Sequence, residues 1–142
     1  MPPAQRRSLH QSIAEWYERE FHADLSPFYP LLAKHWSNTE RVPEAIDYLE
    51  KSGENALRQY ANEEAIAFFS QALAMTAKAA DDQELRRGTW ERQLAEAYYN
   101  LGRLDKSLEH FRNALELLGY PFPRTALGLL GGTLREMARQ VL

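Results

Sequence analysis

The chain has 142 residues, 44% of them hydrophobic and 26% charged, with 17 basic and 20 acidic side chains for a formal net charge of −3. That is enough chain for one domain with a real core, and the charge gives no global attraction to DNA or RNA. Cysteine is absent, which excludes disulfides and thiolate zinc sites and fits a reducing compartment. MPPAQRRSLHQSIAEW has no apolar core of leader length, and no stretch approaches the ~20 apolar residues of a membrane span, so a cytoplasmic location is expected.

Apolar positions recur at threes and fours, the mark of one buried stripe per helix. No convincing strict alternation or Asn-Gly or Asp-Gly hairpin signal competes with them. The first predicted helix covers 5–22 and carries Ile13, Trp16, Tyr17 and Phe21. LSPF starts the second, 27–38, with Ser26 as N-cap and Pro27 as first helical residue. Pro43 starts the third, 43–60, whose stripe holds Ala45, Ile46, Leu49, Ala56, Leu57 and Tyr60. Asn62 caps the fourth, 62–80, where Glu63 and Glu64 suit the positive end of the helix dipole. The fifth, 82–101, is stopped by Gly102 in a left-handed conformation. Asp105 helps open the sixth, 104–118, which Gly119 and two prolines close. A seventh, 124–141, carries Leu127, Leu130, Leu134, Met137, Ala138 and Val141. Such short connections make consecutive helices antiparallel neighbours, a string of αα-hairpins.

NEEAIAFFSQALAM (62–75) and LDKSLEHFRNALEL (104–117) are copies of one pattern: Ala65 matches Ser107, Phe69 matches Phe111, Ala72 matches Ala114 and Leu73 matches Leu115, each pair 42 apart. VPEAIDYLEKSGE is a weaker third copy through Ala45, Leu49 and Ser52. Small residues let two helices approach closely and the aromatic fills the gap. AEAYYNLGRLDKSLEHFRNALEL (95–117) resembles a tetratricopeptide repeat, with Tyr98, Gly102, Ser107, Phe111 and Ala114 at that pattern's positions. Ser107 replaces the usual Ala, and Trp90 sits one place too early for the family's Trp. Gly53, Ala65, Phe69 and Ala72 match a second repeat in which Tyr60 replaces the turn glycine. The usual period is about 34 residues. The extra length, roughly two helical turns, is assigned to AKAADDQELRRGTW, one turn on each of two neighbouring helices. Gly88 then lies inside a helix at a cost of about 1 kcal/mol.

A finer resemblance runs through RRSLHQSIAEWYE, YPLLAKHW, AIDYLEKSGENALRQYANEEAIAFFSQAL and LGRLDKSLEHFRNALELLGYPFPR. Their order is similar to the helical region after the ATPase and winged-helix parts of STAND-type signal-transduction ATPases, as in bacterial multidomain adenylate/guanylate cyclases and LuxR-family regulators. These resemblances imply an all-α, right-handed αα-hairpin solenoid, a TPR-like superhelix of about seven antiparallel helices. It would form one domain over 1–142: N-terminal helices 5–38, repeat-like pairs 43–80 and 82–118, and a capping helix 124–142. The chain stops on Val141-Leu142 without a stop signal, and a fragment of a longer protein is expected.

Chemistry is sparse. LGLLGGT (127–133) has glycines but no following Lys, so it is no phosphate loop, and no cyclase motif is present. His10, His22, His35 and His110 form no H-x-x-x-H pair. His35, beside Trp36, reads either as a ligand or base or as a structural hydrogen-bonding residue; the second is favoured, since no partner group is near in sequence. Glu63-Glu64 and Asp81-Asp82 are explained by helix starts. Arg6-Arg7, Arg86-Arg87 with Arg92, and Arg135 with Arg139 are short, lie close to acidic residues, and read as solvated faces. The terminal stripe reads as a cover for the end of the stack, or a docking face for a next repeat, rather than a membrane-surface helix.

Tyr98, Phe111 and Ala114 are therefore expected to hold two helices together, leaving function to the surface. If the geometry of the repeat carries over, a concave groove is lined by Glu50, Glu54 and Arg58 on one helix and by Arg92, Glu96, Tyr99 and Asn100 on the next. Such a groove takes a peptide, a helix, or another domain of the same polypeptide. The expectation is a non-catalytic interaction and regulatory module with no cofactor, metal, nucleic acid or membrane. Homodimerisation through the terminal helix is a second reading. An enzyme is a remote third, since it needs a polar pocket of paired titratable groups that the sequence does not show.

Overall fold

A computed structural model of the chain describes residues 1–77, 83–120 and 139. Among these residues the regular structure is helical throughout: α1 (Pro3–Glu20), a 3₁₀ turn (Ser26–Phe28), α2 (Tyr29–Ser37), α3 (Val42–Arg58), α4 (Asn62–Thr76), α5 (Glu84–Asn100) and α6 (Leu104–Leu117). None of the described helices is long and apolar enough to cross a membrane. The predicted seventh helix apart from Arg139, the terminal interaction face it was to carry, and Asp81-Asp82 lie outside the described residues.

The chain forms two compact units, residues 1–81 and 82–142. In the first, α1 packs on α2, α2 on α3, and α3 on α4. Leu32, Ala33 and Trp36 of α2 are buried with Ala45, Ile46 and Leu49 of α3 and Ala65, Phe69 and Ala72 of α4. Of the third weak copy, Ala45, Leu49 and Ser52 are all buried in α3. In the second unit α5 packs on α6, with Trp90, Leu94, Ala97 and Ala114 as its core.

The sequence period governs the backbone. The interval from Val42 to Glu84, where α3 and α5 start, is the interval from Arg58 to Asn100, where they end, and again that from Asn62 to Leu104, where α4 and α6 start. The hairpin joint is also copied. Ala61 N–H donates to Ala56 O at 2.9 Å and Tyr60 N–H to Leu57 O at 3.1 Å; one period on, Arg103 donates to Tyr98 O and Gly102 to Tyr99 O, each at 2.9 Å. This pair of bonds, 6→1 and 5→2, is a Schellman motif, which requires a left-handed residue at its corner. Gly102 supplies it at φ 72° and Tyr60 at φ 59°.

Three expectations are corrected. The helices open without side-chain caps. Ser26 sits inside the 3₁₀ turn, after Leu25, and bonds instead to Asp24. Asn62 is the first residue of α4, and its side chain reaches back to Tyr60 O at 3.1 Å. Asp105 lies within the first turn of α6, after Arg103. The flanking positions Arg41, Ala61 and Arg103 share φ −79° to −89° and ψ 66° to 71°, close to an inverse γ-turn, so each helix starts directly off the preceding joint. Second, α1 buries little of its stripe: Ala14 is its buried residue, while Trp16 is 45% and Phe21 37% exposed.

Third, Phe111 is not a wedge between α5 and α6; it is 46% exposed, whereas its counterpart Phe69 is fully buried. The cause is one position. A Cβ on Gly53 would stand 2.7 Å from Phe69 Cζ, so the ring occupies the space that a side chain would need. The equivalent residue of α5 is Ala95, buried and carrying the β-carbon that Gly53 lacks. Ala114 does hold α6 to α5, and Ser107 adds a hydrogen bond to Ala95 O at 2.8 Å. Gly88 is inside α5 as expected, and it is a close-approach site too, since a Cβ there would lie 2.9 Å from Leu118.

Candidate functional site

The seven residues proposed for the groove divide between the two units. Glu50, Glu54 and Arg58 follow at intervals of four on α3, which places them on one helical face. Glu50 and Glu54 are half-buried and Arg58 is exposed, its guanidinium hydrogen-bonded to Asn55. Arg92, Glu96, Tyr99 and Asn100 make the corresponding stripe on α5, all exposed, with Tyr99 at 65%. Arg92 and Glu96 pair at 3.6 Å one turn apart, both about half accessible, so the pair adds little stability and both groups stay available. The opposite face of α5 is packed by Trp90, Leu94 and Ala97. Helix periodicity alone therefore separates a buried face from a polar, aromatic-bearing one.

Three polar clusters lie away from these stripes. Trp36 Nε1 and Tyr48 Oη both donate to Glu18 Oε1 at 2.9 Å, so one α1 carboxylate bridges α2 and α3. Burial, and then the adjacent Glu18 carboxylate, push the Tyr48 phenol above its usual range. His35 meets His10 of α1, with the two Nδ1 atoms 2.8 Å apart. The structural reading of His35 stands on this contact, and the partner lies 25 residues away, which no local motif reveals. In the second unit, Glu91 of α5 bonds His110 Nδ1 of α6 at 2.6 Å, and Tyr98 stacks on the imidazole with ring centroids 5.2 Å apart and planes within 5°. Glu91 was not singled out by sequence. Its signal is position, for it occupies the slot held by Leu49 in α3.

Between α1 and the α2–α3 connection lies an open hollow of about 370 Å³ lined by Arg7, Gln11, Glu15, Thr39, Glu40 and Arg41 among others. Its polar groups are mutually engaged: Arg7 with Glu40 at 3.7 Å, Gln11 with Glu15 at 2.9 Å, Arg41 with Glu44. Among the described residues no group of three or more His, Asp or Glu could hold a metal ion. Of the basic clusters, Arg7 meets Glu40, and Arg86 lies over the Trp90 ring at 5.2 Å.

No curated protein matches the chain. The tetratricopeptide-repeat family model matches residues 92–119, the segment holding most of α5, the Gly102 joint and all of α6. Over residues 92–119 the chain is thus similar to a tetratricopeptide repeat, a helical hairpin generally used to hold other proteins.

Proposed function

We propose that this chain is a non-catalytic protein-interaction module that holds a peptide, a helix or a neighbouring domain on the exposed stripe of α5, the Glu50, Glu54 and Arg58 stripe of α3 being a second candidate surface on the other unit. The observation that carries the reading is the repeat match at 92–119, whose first helix presents Arg92, Glu96, Tyr99 and Asn100 to solvent while its other face is core. Exposed aromatic and arginine side chains on a rigid helix suit partner recognition, because little conformational entropy is lost on binding. The order of helices further supports a regulatory segment of a STAND-type multidomain ATPase or adenylate/guanylate cyclase-like protein, acting in the cytoplasm.

A photo-crosslinking residue placed at Tyr99, with a control at the outward-facing Glu109 of α6, tests the surface in the cell of origin. Position 99 is expected to yield one discrete adduct at least tenfold above position 109. Charge reversal at Arg92 should reduce it without changing the helical circular dichroism. Equal labelling at both positions, or an adduct indifferent to the Arg92 reversal, overturns the reading.

A further inference from the structure

α1 is held to its neighbours mainly by polar and aromatic contacts. Of its 18 residues Ala14 is the buried one. Its C-terminal half is fixed by Glu18, which receives Trp36 and Tyr48, and by Tyr17 and Phe21, whose rings lie 5.2 and 4.4 Å from that of Phe28. In the N-terminal half His10 meets His35 of α2, Nδ1 to Nδ1 at 2.8 Å with ring centroids 5.1 Å apart, and Arg7 pairs with Glu40 beyond α2 at 3.7 Å. A hydrogen bond between two Nδ1 atoms has one donor and one bare acceptor, so at least one imidazole must be neutral. Two imidazolium rings in the same place would present N–H to N–H and charge to charge.

We propose that the His10–His35 pair is a proton latch: it docks the N-terminal half of α1 on α2 when one ring is neutral, and releases it when both are protonated. The surroundings favour this. His10 faces His35 from α1, Lys34 stands beside it on α2, and both act against a second positive charge. No carboxylate is within ion-pair distance of either ring among the described residues. Glu18 is engaged by Trp36 and Tyr48, Glu44 of α3 by Arg41, and Glu40 of the α2–α3 connection by Arg7. Burial first, then His10 and Lys34, hold the imidazole of His35 below the ordinary 6.5. The sign follows. The unfolded or undocked ring takes its proton first, so docking is fully favoured above about pH 6.5 and weakens as pH falls below it. The Glu18 hub and the aromatic contacts do not depend on this proton, so the release is confined to the first part of the helix.

Hydrogen exchange of the full chain at pH 7.5 and 5.5, corrected for the intrinsic pH dependence of exchange, tests the latch. Protection of amides 6–14 is expected to fall severalfold on acidification, to a ceiling of about tenfold one pH unit below the free imidazole's 6.5, while α3 and α4 keep theirs. His10→Gln, whose amide can still bond His35 Nδ1 and carries no second positive charge, should remain docked and show a clearly smaller fall, what is left coming from burial and Lys34. His22→Gln, whose imidazole bonds only its own helix end at Arg19 O, should keep it. If the unmodified chain protects amides 6–14 equally at both pH values, or if His10→Gln shows the same fall, the latch is overturned.

Discussion

Tyr60 holds a left-handed backbone, φ 59°, that costs a residue with a β-carbon roughly 1–2 kcal/mol. Its side chain is 78% exposed, so the ring returns little by packing. The equivalent joint at Gly102 has the same hydrogen bonds and a glycine. Tyr60→Gly is therefore expected to stabilise the first unit by about 0.5–1 kcal/mol, the strain relieved less the extra freedom glycine gains when unfolded. Urea denaturation checks it, and a lower midpoint would mean that the ring has a role this geometry lacks. The position was legible as the family's turn glycine replaced by Tyr. That the joint would keep its left-handed form was not, because only the surrounding hydrogen bonds impose it. Phe111 shows the converse limit. Its sequence match to Phe69 is good, but burial depends on whether the facing residue is Gly53 or Ala95.

At the scale of the helix pair, periodicity located the six described helices within a few residues, since each carries an apolar stripe and most end in a glycine or a proline-bounded turn. Their openings were misread, because Ser26, Asn62 and Asp105 have capping chemistry while the joints start each helix through the backbone. The pairs also differ inside. Leu49 and Phe68 of the first correspond to Glu91 and His110 of the second, where a largely buried carboxylate–imidazole bond joins α5 to α6. Breaking one side leaves a polar group without its partner, whereas replacing both by matching apolar groups is commonly neutral or stabilising. Glu91→Leu alone should cost about 1–3 kcal/mol. Glu91→Leu with His110→Phe should recover most of it in equilibrium unfolding. An additive double variant would deny the two residues any coupling.

At the scale of the whole chain, the seven groove residues were chosen from the repeat resemblance; Arg58, Arg92, Glu96, Tyr99 and Asn100 are exposed and Glu50 and Glu54 half-buried, while the polar clusters were not foreseen. Glu18, Trp36 and Tyr48 come from three helices, and His10 and His35 from two, so their pairing depends on tertiary contact. Charge is uneven along the chain: 1–81 has 12 acidic and 8 basic residues, 82–142 has 8 and 9. The stripe on α3 thus lies in acidic surroundings and that on α5 in nearly neutral ones. Each unit has its own large aromatic in its core, Phe69 in one and Trp90 in the other.

The copied joint makes one sequence period a splice length. Excising 61–102 would join Tyr60 to Arg103, whose φ −89° and ψ 71° nearly reproduce the −79° and 66° of Ala61. α3 would then lead straight into α6 with the turn unchanged, and Phe111 would arrive opposite Gly53, in the crevice that Phe69 now fills. With His110→Phe restoring the apolar neighbour of Leu49, the shortened chain should fold as helices and bury the ring that the parent leaves half in water. Contacts between the Phe111 ring and Gly53 in nuclear magnetic resonance spectra would show it. A spliced chain with Phe111 still in solvent would mean that the choice of Gly53 or Ala95 opposite the ring does not decide its burial.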